Sequence, residues 1–281
     1  MWILPESDVV DRVRAAADPV IVAGAGVIAG GTVPGVHALA TALQAGVVNW
    51  WDAKGVFDWR SRHHLATAGL QRDDFTLAGI DAADLVITTG LAEPFGEGGD
   101  RVLDVAPDVL GPLAELVHRP FREIDVPPLR AGLAAATEAA WERTGTPLAP
   151  PAATRALSAA LGTTARLAVA PGTAGFWVAR TFPTQALGTV TVTADPIAAR
   201  PAIAIVTEQP AELPDFPIAI EVWHPDGERL DAAAYEARLA ELLHVRQTTV
   251  VSLAIDESVL AEYVAVAGPI TAWPDLTFPR Q

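Results

Sequence analysis

The chain has 281 residues, 51% of them apolar, with a formal net charge of −15 and no cysteine. The charge excludes nucleic acid and anionic membrane surfaces as partners, and the missing thiols exclude disulfides, thiolate catalysis and cysteine metal sites. No apolar run reaches the ~20 residues of a membrane span, and the first eight residues lack the basic and apolar regions of a signal peptide. These features lead us to expect a soluble cytoplasmic protein of one large or two ordinary domains.

Residues 7–17 read as a short helix, with Ser7 as N-cap and Val9, Val10 and Val13 on one face. Then comes Pro19-Val20-Ile21-Val22-Ala23, a strand apolar on both faces, as in the buried middle of a parallel sheet. It enters the glycine turn Gly24-Ala25-Gly26, followed by a helix over residues 33–44 that Gly46 ends. Val47-Val48-Asn49-Trp50 is a second strand, so the first fifty residues predict a right-handed βαβ unit.

Residues 52–75 read as a polar, irregular loop carrying Lys54, His63 and His64. The histidine pair has no third ligand at a metal spacing and is expected to be solvated. Leu85-Val86-Ile87-Thr88-Thr89 and Val102-Leu103-Asp104 are further strands, the first ending at Gly90. The alternation predicts a parallel sheet covered on both faces. Asp104, at a strand end, suits either a ribose hydroxyl or a cap for the turn that follows.

The order Pro19 to Gly26, then Asn49-Trp50-Trp51-Asp52-Ala53-Lys54-Gly55-Val56-Phe57, then Ala83 to Gly90 resembles the central domain of thiamine diphosphate-dependent enzymes, such as acetolactate synthase and the 2-oxo-acid decarboxylases. Lys54-Gly55-Val56-Phe57 is similar to that family's Gly-Lys-Gly-Ala-Phe segment, and Arg101 to Val105 to its next strand. The resemblance implies a six-stranded Rossmann-like domain, which in some members holds FAD, ADP or a coenzyme A nucleotide and in others binds nothing.

In the second half, helices are expected over residues 129–143 and 152–161. Arg166 to Pro183 resembles the start of the family's diphosphate-binding domain, and Ala186-Leu187-Gly188-Thr189 echoes the glycine-rich segment that follows there. Strands over 202–207, 218–223 and 248–254, a turn at His224-Pro225-Asp226-Gly227 and a helix over 231–243 complete the reading. The family's Gly-Asp-Gly segment, which with an Asn supplies oxygen ligands to magnesium, has no counterpart. Pro171 or Ala170 stands where the earlier strand turn carries Asp, and Asp195 reads as a turn-former. A pyrimidine-binding domain is also missing from the sequence, so the resemblance implies that this chain does not hold thiamine diphosphate and magnesium alone.

The expected architecture is therefore α/β: a Rossmann-like parallel sheet over residues 1–126, a proline-bearing helical linker over 127–151, and a smaller, degenerate diphosphate-binding-like α/β domain over 152–281. The expected function is nucleotide or cofactor binding, or assembly, without thiamine diphosphate chemistry of its own. The alternative is one component of a split decarboxylase or acetolactate synthase-like enzyme, completed by a separate pyrimidine-binding subunit. A homo-oligomer is the family expectation. A sirtuin-like reading of the glycine turn fails for want of a four-cysteine zinc module. A ligand, expected to be FAD, ADP or coenzyme A, is placed at Gly24, Ala25, Gly26, Thr89, Gly90 and Asp104, with backbone amides for phosphate and an acid for ribose.

Overall fold

A computed structural model describes residues 4–96, 99–185, 189–244 and 246–273. The glycine-rich Ala186-Leu187-Gly188 lies outside them. The chain forms two α/β domains, each built on a five-stranded, all-parallel sheet.

In the first domain, α1 (Ser7–Ala15) leads into β1 (Pro19–Ala23), the single turn α2 (Gly26–Ala29), α3 (Val33–Leu43), β2 (Gly46–Trp50), β3 (His64–Ala68), α4 (Asp74–Leu77), β4 (Leu85–Thr89), β5 (Val102–Asp104) and α5 (Leu110–Leu116). The sheet order is β3-β2-β1-β4-β5, the doubly wound order with a switch point between β1 and β4. Side chains alternate across β1: Val20 and Val22 enter one core, Ile21 and Ala23 the other. That alternation is why the strand must be apolar on both faces.

Two expectations are corrected here. Among the described residues the sheet has five strands rather than six. Residues 64–68 are not loop but β3, an edge strand parallel to β2. His63 and His64 are accordingly buried. His63 Nδ1 lies 2.8 Å from the Ala45 carbonyl oxygen. The short run His-Leu-Ala-Thr-Ala holds a single β-branched residue, Thr67, and two alanines, a weak strand signal by propensity, and pairing with β2 decides its conformation.

In the second domain, α6 (Pro128–Trp141) and α7 (Pro150–Leu161) precede β6 (Leu167–Val169), α8 (Thr173–Thr181), β7 (Val190–Val192), β8 (Ile203–Val206), β9 (Ala219–Glu228), α9 (Ala232–Leu242), β10 (Thr249–Leu253) and α10 (Leu260–Ala267). The order β10-β9-β8-β6-β7 places this sheet's switch point between β6 and β8. β7 and α10 are additional to the elements read from the sequence. The expected turn at His224 to Gly227 is instead an irregularity within β9, where the pairing with β10 jumps from Val222↔Ser252 to Glu228↔Leu253.

One continuous core joins the two domains: Val20, Val48 and Val86 of the first sheet and Leu167, Val169, Ile203 and Ile205 of the second belong to the same buried cluster, with Leu133, Leu157 and Trp177 between them. The opposite face of the first sheet packs on α3 and α5 through Val36, Leu39, Leu110 and Leu113. A buried polar network also crosses between the domains. Arg180 on α8 pairs with Asp74 on α4, and it donates to the Thr67 carbonyl oxygen at 2.5 Å and to Gln71 Oε1 at 3.0 Å. Gln71 in turn donates to the Gly268 and Tyr263 carbonyl oxygens. Backbone bonds from Arg72 to Pro269 and from Thr271 to Leu70 stitch the end of the described chain onto the first domain.

Candidate functional site

At the switch point of the first sheet, the chain leaves β1 through Gly24-Ala25-Gly26 and leaves β4 through Gly90. The Gly24 N–H donates to the Thr89 carbonyl oxygen at 2.9 Å, and the Gly26 N–H to that of Gly90 at 2.8 Å. The Ala25 N–H donates to Asp52 Oδ1 at 3.2 Å. A Cβ at Gly24 would stand 2.4 Å from the Gly90 carbonyl oxygen, and one at Gly90, whose φ is +63°, would stand 2.6 Å from the Val27 nitrogen. The glycines thus let two loops approach in backbone contact, and the amides of the turn are engaged within the fold.

Five of the six sequence-designated residues, Gly24, Ala25, Gly26, Thr89 and Gly90, meet at this point. Thr89 is fully buried with an unpartnered hydroxyl. Asp104 sits one strand further out. It is exposed, accepts a hydrogen bond from Thr88 Oγ1 at 2.8 Å, and lines a hollow of about 380 Å³ with Leu91, Phe95 and Val102.

Beside the switch point lies a larger hollow of about 830 Å³, between the ends of β2 and the 91–101 connection from β4 to β5. Its walls are aromatic. Trp50 stacks on Phe75 at 5.7 Å between ring centroids, and Phe95 meets Trp50 and Phe75 edge-on at 6.0 and 5.4 Å. The rim is acidic, with Asp52, Asp81, Glu93 and Asp100. Among the described residues its one cation, Arg101, donates to the carbonyl oxygens of Asp81 and Ala83. Burial pushes the Asp52 carboxyl up to about 6, against the Ala25 N–H that favours its charged form. This arrangement offers aromatic surface for a planar ring to lie against, and its charge repels phosphate. The reading from sequence passed over these aromatics, although Trp50-Trp51 directly after a strand was a visible signal. Phe75 and Phe95 join Trp50 only in three dimensions.

At the strand ends of the second sheet, the turn after β6 is Ala170-Pro171-Gly172, without a side-chain oxygen. Asp195 is exposed and caps its own turn, accepting from the Ala198 N–H at 3.0 Å. A hollow of about 460 Å³ at the ends of β8 to β10 presents Glu208, His224 and Ser252. One carboxylate with an imidazole does not make the oxygen cage of a hard dication, so these residues do not fit a magnesium–diphosphate group.

Three comparisons set the sequence and the fold beside known proteins. No curated protein matches the sequence. The fold is similar to the X-ray structure of a candidate thiamin diphosphate-dependent enzyme isolated from Mycobacterium smegmatis, with a TM-score of 0.65 and 16% sequence identity. The match covers 91% of this chain, which spans 65% of the length of that one. Residues 7–109, the stretch holding the first sheet and its switch point, match the family model of the thiamine pyrophosphate enzyme central domain. Residues 7–109 are thus similar to the thiamine pyrophosphate enzyme central domain, and the chain shares the two-domain α/β fold of the solved structure.

Proposed function

We propose that this chain is a ligand-binding member of the thiamine pyrophosphate enzyme relatives, without thiamine diphosphate chemistry of its own, that holds the ring of an adenine nucleotide in its central domain. The observation that carries this reading is the aromatic hollow of Trp50, Phe75 and Phe95, beside the switch point where doubly wound sheets bind ligands. The adenine lies against the aromatic wall, and Asp104 in the neighbouring hollow accepts from a ribose hydroxyl. The acidic rim and the engaged amides of the glycine turn direct phosphates outward to solvent rather than onto the turn.

The test is a calorimetric titration of the whole chain with adenosine, ADP, FAD and coenzyme A, in parallel with thiamine diphosphate plus magnesium. Saturable binding of the adenine compounds, with adenosine retaining most of the affinity of ADP, supports the reading. Binding of thiamine diphosphate with magnesium, or silence from all four adenine compounds, overturns it.

A further inference from the structure

A separate cavity of about 380 Å³ lies where the first domain meets α6 and α8. One end is cationic. Lys54, the sole lysine of the chain, is 5% exposed, and among the described residues its ammonium has no hydrogen-bond or ion-pair partner. Burial, and then the charge of Arg180, hold its pKa down to about 7. Arg180 is fixed by Asp74, and Arg130 by the carbonyl oxygens of Trp59, Ser61 and His64, so neither turns away. His64 Nδ1 and Thr67 Oγ1 are buried here without partners. Burial, then Lys54, then Arg130 keep the His64 imidazole neutral, its pKa lowered to about 3. Among the described residues no acid balances Lys54: Asp74 is committed to Arg180, and Glu138 is exposed.

The other end is apolar. Trp59 and Trp141 meet edge to face at 5.6 Å, and Leu133 and Phe182 complete the wall. A lone buried ammonium is costly unless a counter-charge reaches it. Lys54, His64 and Thr67 all line this space, and an ammonium, an imidazole N–H and a hydroxyl are groups that donate to an anion.

We propose that this cavity binds a small organic anion, a carboxylate or phosphate monoester with an apolar body, whose head is held by Lys54, Thr67 and His64 and whose body lies against Trp59, Trp141 and Phe182. The site is distinct from the aromatic hollow at Trp50 and does not depend on it.

The experiment is calorimetric titration of the full chain with phenylacetate, phenyl phosphate and inorganic phosphate, repeated on Lys54→Met and Ala134→Trp. Ala134 lines the cavity on α6 and is half-buried, so its replacement fills the space while leaving Lys54 in place. The expected result is saturable binding of at least one aryl anion, weakened about tenfold or more in Lys54→Met, the weight of one charged hydrogen bond, and likewise in Ala134→Trp. Comparison of the two aryl arms identifies the head group. Absence of saturable binding by both aryl anions, or binding unchanged in Ala134→Trp, overturns the proposal. So does inorganic phosphate binding as tightly as phenyl phosphate, since the apolar wall would then contribute nothing. If Lys54→Met does not fold, Ala134→Trp decides alone.

Discussion

Arg180 of the second domain and Asp74 of the first form an ion pair in which both side chains are withdrawn from water. Asp74 also accepts the N–H groups of Leu70 and Gln71 at 2.8 and 3.0 Å, and Arg180 reaches Thr67 and Gln71. The two sheets are therefore joined by a satisfied polar network within a shared apolar core, and they are expected to unfold together.

Removing one partner leaves the other charge buried. Arg180→Met is expected to cost about 3–5 kcal/mol, read as a lower urea midpoint. The double variant Arg180→Met/Asp74→Asn carries no lone charge and is expected to be less destabilised than Arg180→Met alone. Equal or greater destabilisation of the double variant would contradict this account of the network.

The contact between the glycine loops makes a second prediction. Gly24→Ala places a methyl group 2.4 Å from the Gly90 carbonyl oxygen, so the two loops must separate, at about 1–3 kcal/mol. Gly90→Ala adds the strain of a positive φ and is expected to be the worse of the two. By contrast Gly111→Ala, with nothing within 4 Å of its Cβ and a place inside α5, is expected to be neutral or stabilising, since Ala favours the helix by about 1 kcal/mol. Thermal melts of the three variants give the ranking.

Opposite pH dependences are expected from two buried groups. Burial lifts Glu221 to about 7 although Trp223 and Tyr235 donate to its carboxylate. Between its ordinary pKa and about 7 the native state binds the extra proton, so its contribution to stability is lost as pH rises through that interval. Lys54 is held down to about 7. Between 7 and its ordinary value the unfolded state binds the extra proton, so this contribution grows with pH. Urea midpoints of Glu221→Gln and Lys54→Met across the pH range, subtracted from the parent protein, should show one difference falling below neutrality and the other rising above it.

Stacking supplies a fourth test. If adenine lies among Trp50, Phe75 and Phe95, Phe95→Ala should weaken adenosine binding by about 1–3 kcal/mol, the weight of one base on an aromatic face. The same change should leave phenylacetate binding at Lys54 unaltered. A Phe95→Ala protein that binds adenosine like its parent would place the nucleotide elsewhere.

Much of the fold was legible from local pattern. The run Pro19 to Ala23 is apolar at every position, and that demands two covered faces. Leu85 to Thr89 and Val102 to Asp104 follow at βαβ-like spacing, so β1, β2, β4 and β5 could be found from their own residues. β3 could not, because His64 to Ala68 has no alternation and only one β-branched side chain, Thr67, and the free edge of β2 makes it a strand. The same folding event turned His63 and His64 from expected surface groups into buried ones.

What the sequence by itself determined was the set of strong local preferences: continuous apolar strands, glycine where loops meet in backbone contact, and the ordered motifs of a thiamine pyrophosphate enzyme central domain. What only the tertiary structure decided was which distant residues share a space. Trp50, Phe75 and Phe95 come together, and Lys54 faces Arg180 and Trp141, because sheet order and the packing of α6 and α8 bring separate segments together. Whether an amide or an ammonium is engaged or free is likewise a property of its neighbours in space. Local preference acts through a few covalent bonds, whereas burial and charge act through contacts that exist only once the core has closed.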